Sequence, residues 1–312
     1  SKEVIRTINA RKLWQKILEL RMQTGEPYLL FTDTVNNAMP AHQRKLGLKV
    51  TQSNLCSEIT LPTGVVHAGQ DRTAVCCLSS VNAEKYLEWS KDETFIEDIF
   101  RFLDNVLEDF IERAPPEMAR AVYSAKRERS VGLGLMGFHS FLQTMNVPLE
   151  SAMAKVWNEK MFKHIRQGAD AASVKLAKER GPCEDARDVG MMARHKMAVA
   201  PTASISIICG GTSAGIEPIP ANVYTHKTLS GSFTVKNQQL QRLLASKDMD
   251  TDEVWTSILE HEGSIQHLEC LDEHEKSVFK TAFEIDQRWI IELAAARTPY
   301  ICQSQYLNLF LP

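Results

Sequence analysis

The most restrictive feature of this sequence is its alternation between long stretches of helical apolar spacing and short apolar segments of strand character. In Thr94–Arg113, the residues Phe95, Ile99, Leu103, Leu107, Phe110 and Ile111 recur on one stripe, so the segment reads as an amphipathic helix with one face in a core. The same period predicts helices over Arg11–Met22, Ala154–Lys178 and Glu275–Ala296. Between them lie Tyr28–Thr32, Ser57–Leu61, Thr73–Val81, Met197–Ala200, Ser204–Cys209, Gly231–Val235 and Tyr300–Leu311, whose β-branched, aromatic and apolar content reads as strand. The alternation predicts an α/β architecture with strands covered by long helices. Clusters such as Pro62-Thr63-Gly64, Gly210-Gly211 and Glu217-Pro218-Ile219-Pro220 punctuate strand ends, where such folds place their chemistry. No internal repeat or low-complexity linker interrupts the pattern, so one continuous domain over 1–312 is expected.

Charge narrows the partners. With 36 basic against 39 acidic residues the net charge is −3, which offers no global field for a nucleic-acid backbone or an anionic membrane, so any phosphate site must be local. No stretch approaches the roughly 18 apolar residues of a spanning helix, and Ser1-Lys2-Glu3-Val4-Ile5-Arg6 lacks the apolar core of a signal peptide. A cytoplasmic protein with neither membrane nor nucleic acid as partner is expected. The 7 cysteines are odd in number and include no CxxC pair. Reduced thiols are therefore expected, rather than a disulfide scaffold, a thioredoxin-like motif or a zinc ribbon.

One constellation carries chemistry. In Ser53-Asn54-Leu55-Cys56-Ser57-Glu58-Ile59 an amide, a thiol and a carboxylate stand at i, i+2 and i+4. An extended segment puts all three on one face and Leu55 on the other, so a hydrogen-bond donor, a thiol and a base converge on one ligand. Alone, such a match is weak, because free cysteines are commonly core. Its context is more specific: the motif runs on into Thr60-Leu61-Pro62-Thr63, and a second cysteine segment, Ala74-Val75-Cys76-Cys77-Leu78-Ser79, follows about twenty residues later.

Asn54-Leu55-Cys56-Ser57-Glu58-Ile59 with Leu61-Pro62-Thr63 resembles the finger-loop signature of class I ribonucleotide reductase large subunits. The resemblance implies part of a ten-stranded α/β barrel, with a finger loop at about 50–64 and a second half-barrel at about 72–312. It implies that Cys56 becomes a transient thiyl radical that abstracts the 3′ hydrogen of the substrate ribose. Glu58 would take the 3′-hydroxyl proton, and Asn54 would hydrogen-bond the ribose hydroxyls, with Ser53 beside them as a substrate-binding residue. A thiol can return the hydrogen afterwards, and a carboxylate is a competent base near neutral pH. Cys76 would supply reducing equivalents as the 2′-hydroxyl leaves as water, while alternation turns Cys77 to the opposite face.

A second segment, Val199-Ala200-Pro201-Thr202-Ala203-Ser204-Ile205-Ser206, carries alternating hydroxyls and leads into Gly210-Gly211-Thr212-Ser213-Ala214-Gly215. Such a turn can cradle phosphate oxygens without a lysine. With Gly215-Ile216-Glu217-Pro218 it resembles the reductase segment that holds the substrate diphosphate. Thr202 and Ser204 would donate hydroxyls, and Ala203 and Ile205 backbone amides; Ile205 replaces a Thr or Ser of some relatives and can offer only its amide.

The resemblance runs over nearly the whole chain, including Tyr300-Ile301-Cys302-Gln303-Ser304-Gln305, although Tyr306 stands where a small residue is usual. Cys302 reads as structural. His261, His267, Cys270 and His274 cluster in sequence but read as a polar helix face rather than a metal site. The family's ATP-binding cone, first half-barrel, effector loop, Tyr-Tyr pair and C-terminal cysteine tail have no counterpart here, so a piece of a larger subunit is expected. Partners implied are a nucleoside diphosphate, a radical-generating small subunit with the dimetal cofactor, the remaining large-subunit segments or a second copy, and thioredoxin or glutaredoxin. No cofactor bound by this chain is implied. Two other readings are the adenosylcobalamin-dependent (class II) reductase and a non-catalytic assembly module.

Overall fold

The computed structural model describes residues 6–65, 70–193, 195–228 and 231–311. Its centre is a pair of parallel strands, Cys77–Asn82 and Val131–Met136, in register from Cys77 opposite Val131 to Asn82 opposite Met136. Two further rows extend the pair in the same direction. Val131 and Leu133 amides donate to the His195 and Lys196 carbonyls at 2.9 and 2.8 Å, and the Val199 and Gln303 amides link segment 195–199 to segment 303–306. Parallel bridges join Leu133 to Met197 and Val199 to Gln305. Every residue of Val131–Met136 is buried, as befits a parallel strand covered on both faces. Gly132 and Gly134 let the rows close up: a Cβ on Gly132 would collide with Leu78 Cδ2 and lie 3.1 Å from Cys76 Sγ, and one on Gly134 would lie 2.5 Å from the Ala198 carbonyl oxygen.

The rows are backed by the helices Phe95–Arg113 and Ala152–Arg180. The first buries Ile96, Phe100, Leu103, Leu107 and Ile111, a stripe displaced by one residue at its start from the expected Phe95 and Ile99, which are only partly buried against the same core. Pro115 and Pro116 follow it and bar its continuation. The second starts where Ser151 Oγ accepts the Ala154 amide at 3.1 Å, a side-chain cap worth about 1 kcal/mol. Together they enclose the main core of Leu133, Leu135, Phe141, Phe162, Ile165, Met197 and Val199. Each such side chain contributes about 2 kcal/mol through removal from water.

A second, smaller core lies between Val199 and Gln305 in sequence. The antiparallel hairpin Val223–Thr228 with Gly231–Lys236 and the helices Gln238–Ser246, Asp252–Glu260 and Glu273–Val278 gather Val223, Leu240, Leu244, Trp255, Ile258, Val278 and Phe279.

Several expectations are corrected. The helix expected over Glu275–Ala296 is two helices, Glu273–Val278 and Gln287–Arg297. Between them Glu150 accepts the Asp286 amide at 2.8 Å, and Asp286 in turn accepts the Arg288 amide at 3.0 Å and starts a new helix. Ser204–Cys209, expected as strand, contains the helical turn Ile205–Ile208. Tyr28–Thr32 is no strand; a helix begins at Thr32. Ser57–Leu61 is irregular, and the strand expected from Thr73 begins at Cys77. Met197–Ala200 and Tyr300–Leu311 contribute bridged rows rather than full strands. Among the described residues the rows do not close into a barrel.

Candidate functional site

The loop at 49–64 is a stem with a tight tip. At its base the Thr63 amide donates to Lys49 O at 3.1 Å, and the Thr51 and Thr63 hydroxyls lie 2.7 Å apart. Ser53 Oγ donates to Ile59 O at 2.7 Å. The tip is a turn, with the Ser57 amide on Asn54 O at 3.1 Å and Ser57 at φ 62. The expected extended alternation is therefore wrong in form, because Ser57 turns left-handed and reverses the chain. The amide and carboxylate meet nevertheless: Asn54 Nδ2 donates to Glu58 Oε2 at 2.8 Å, and Asn54 Oδ1 accepts the Ile59 amide at 3.1 Å. Glu58 is only 2% exposed, whereas Leu55 is 83% exposed. Cys56, between them, is partly buried; burial and then the Glu58 charge push its thiol up, which holds it as S–H.

The loop is tied to the fourth row. The Ser304 amide donates to Glu58 O at 2.9 Å, and Gln303 Oε1 accepts the Thr60 amide at 3.2 Å. Gln303 Nε2 reaches Cys76 Sγ at 3.4 Å and Val131 O at 3.2 Å. Cys76 lines a cavity of about 330 Å³ with Ser53, Asn54, Ile59, Thr63 and Thr73. Burial pushes its thiol far up, against the opposing Gln303 hydrogen bond. Cys77 packs instead beside Leu107, Ile111 and Ala125.

The hydroxyl turn lies elsewhere. Thr202, at φ 52, is buried, and its Oγ1 accepts the Gly215 amide at 2.7 Å. Ala203, Ser204 and Ile205 are exposed, and Ser206 Oγ donates to Ala203 O at 3.3 Å. Ala203 and Ser206 line a larger cavity, about 750 Å³, with Glu217, Asn237, Asn308 and Phe310. The structure thus gathers Ser53, Asn54 and Cys76 on one cavity and puts Ala203 on another. At the larger cavity's edge Glu217 Oε1 accepts the Asn308 amide at 2.8 Å, and Asn308 Nδ2 donates to the Tyr306 hydroxyl at 2.8 Å.

Two residues carry contacts that the sequence does not announce. Gln303 is one, since its contacts lie 172 to 243 positions away. Cys302, read from the sequence as structural, is the other: its Sγ accepts the Lys196 and Met197 amides at 3.1 and 3.2 Å. Burial raises that thiol, but the hydrogen bond and charge of His195 and the Lys196 amide outweigh it and bring it down to about 6. The histidine cluster is not a helix face. It lies largely in turns, with His261 and His267 stacked at 3.7 Å and His274 bonded to Asn146 O. Among the described residues no three His, Cys, Asp or Glu side chains are placed to hold a metal, and no helix is long and apolar enough to cross a membrane.

Parallel rows backed by helices, with a thiol-bearing loop fastened to the last row and a second thiol facing that loop, define an α/β protein that brings two cysteine segments together. The model of the ribonucleotide reductase barrel domain matches residues 1–188 and 184–312. The ribonucleoside-diphosphate reductase large subunit of Invertebrate iridescent virus 3 is 45% identical over 99% of this chain and 49% of its own length. A putative large subunit from Frog virus 3 (isolate Goorha) is 47% identical, over 99% of this chain and 54% of its own. The solved class Id ribonucleotide reductase alpha subunit of Actinobacillus ureae superposes with a TM-score of 0.86 at 40% identity, covering 95% of this chain and 54% of that one. The chain belongs to the ribonucleotide reductase family, by its barrel domain, and carries part of that family's α/β barrel fold. It spans about half the length of the curated relatives it matches.

Proposed function

We propose that this chain carries the radical-thiol half of a ribonucleoside-diphosphate reductase, working within a larger assembly. The observation that carries the reading is the Asn54–Glu58 hydrogen bond at the loop tip, which fixes a buried carboxylate beside the Cys56 turn. In the ten-stranded barrel the reading implies, the loop would be the central finger and 1–312 one catalytic portion.

Cys56, converted to a thiyl radical by a separate small subunit, takes the 3′ hydrogen atom of the ribose. Glu58 accepts the 3′-hydroxyl proton, and Asn54 holds that carboxylate in place while facing the ribose hydroxyls. The 2′-hydroxyl then leaves as water. Cys76 and a cysteine from the rest of the assembly give up two hydrogen equivalents and form a disulfide, after which Cys56 returns the hydrogen to C3′. Substrate, two thiols and product balance as deoxynucleotide, disulfide and water. Thr202 and Ser204 hydroxyls and the Ala203 and Ile205 amides would take the diphosphate, with Ser53 at the ribose end. Thioredoxin or glutaredoxin would restore the thiols, in the cytoplasm. The dimetal radical source belongs to the small subunit, as the class of the alpha-subunit neighbour supports.

The test is a chimera in which this chain replaces the matching half of the Frog virus 3 relative, supplied with small subunit, nucleoside diphosphate and dithiothreitol. Deoxynucleotide should form, and Cys56→Ser should abolish it with the fold intact. Turnover that survives Cys56→Ser, or that depends on adenosylcobalamin instead of the small subunit, refutes the reading.

A further inference from the structure

The side-chain amide of Gln303 has every hydrogen-bonding group engaged on a different segment. Its Nε2 serves Cys76 Sγ at 3.4 Å and Val131 O at 3.2 Å, and its Oε1 takes the Thr60 amide at 3.2 Å. Two N–H donors and one carbonyl are what such a group offers. Meanwhile its own backbone amide is fixed on Met197 O at 3.1 Å, and that of the next residue on Glu58 O at 2.9 Å. The side chain therefore cannot follow one partner without leaving another.

We propose that Gln303 is a positioning residue that holds the Cys76 sulfur and the Cys56 loop in one fixed relation through its side-chain amide. The proposal rests on the reductase reading and deepens it: two thiols that act at successive steps on one sugar need a set separation, and Gln303 is the hydrogen-bonded link between their segments. An N–H aimed at sulfur also favours thiolate, opposing the effect of burial on Cys76.

Two variants of the 312-residue chain separate the two arms. Gln303→Met removes donor and acceptor at similar volume, whereas Gln303→Glu keeps an acceptor for Thr60 and removes the donor to Cys76. The first readout is the rate of Cys76 alkylation by iodoacetamide at about pH 8.5, which tracks its thiolate fraction, followed by mass spectrometry with Cys270 as internal reference. Losing an ordinary hydrogen bond should slow it about fivefold in Gln303→Met, and by more in Gln303→Glu, whose carboxyl also opposes a neighbouring thiolate. The second is hydrogen exchange at the Thr60 amide, which should accelerate about tenfold in Gln303→Met and stay near wild type in Gln303→Glu. An unchanged Cys76 alkylation rate in both variants overturns the proposal. So does unchanged Thr60 exchange in Gln303→Met, or loosening spread equally over Val131 and Met197 in both, which marks a general packing role. Neither readout needs turnover, so an inactive chimera would sink the reductase reading and leave this link standing, and the reverse holds equally.

Discussion

Gly134→Ala tests the closeness of the strand rows. The added Cβ would lie 2.5 Å from the Ala198 carbonyl oxygen and 3.4 Å from both Ser80 Oγ and Val199 Cα. Most of a further ångström is needed for ordinary contact, and the obstructing atom is backbone, which no rotamer change can remove. Relief has to come from widening the gap between Val131–Met136 and segment 195–199, where the Ala198 amide already donates to Leu133 O at a longish 3.2 Å. Overpacking of this kind costs about 2 kcal/mol, and a lost backbone hydrogen bond adds about 1 kcal/mol. With a denaturant slope on the order of 3 kcal/mol per molar urea, the midpoint should fall by about 1 M. The control is Gly190→Ala, at φ 63 with nothing within 4 Å of the new Cβ, which bears only left-handed backbone strain of about 1 kcal/mol. Urea unfolding followed by tryptophan fluorescence compares the two. If Gly134→Ala loses no more stability than Gly190→Ala, the rows are not packed as described.

Two titrations follow from buried groups. Burial, opposed by His195 and Arg72, raises the Glu128 carboxyl from 4.5 to about 7, so its contribution to stability is full below about pH 4.5 and is lost as pH rises through 7; Glu128→Gln should flatten the pH dependence of urea stability between pH 5 and 8, and parallel profiles for the two proteins would contradict this. The Cys302 thiol, drawn down to about 6 chiefly by His195 against burial, should be alkylated with a midpoint near pH 6 that moves upward in His195→Ala, and a wild-type midpoint above 8 would rule the thiolate out.

What the sequence revealed was local or periodic. The helices Phe95–Arg113 and Ala152–Arg180 were readable because their apolar stripes repeat over many turns. The loop was readable as a motif, yet its shape was not, since the positive φ of Ser57 has no glycine to announce it. Val131–Met136 escaped notice because Gly132 and Gly134 interrupt its apolar run; only the facing Ala198 and Cys76 explain them. The break after Val278 depends on Glu150, far away in sequence. Gln303 was invisible as a link for the same reason: nothing near it predicts Thr60 or Cys76 as partners. Periodicity reports a face, whereas a tertiary hydrogen bond leaves no periodic trace.

The second core occupies the crossover between two adjacent rows, because Val199 pairs with Gln305 and everything from the hairpin at Val223 to the helix ending at Arg297 intervenes. Closing that excursion brings the two rows side by side although a folded core separates them in the chain. Ser304 and Gln303, which fasten the thiol loop, stand on the far side of that closure. The seating of the Cys56 loop therefore depends on residues that reach it only through that long crossover.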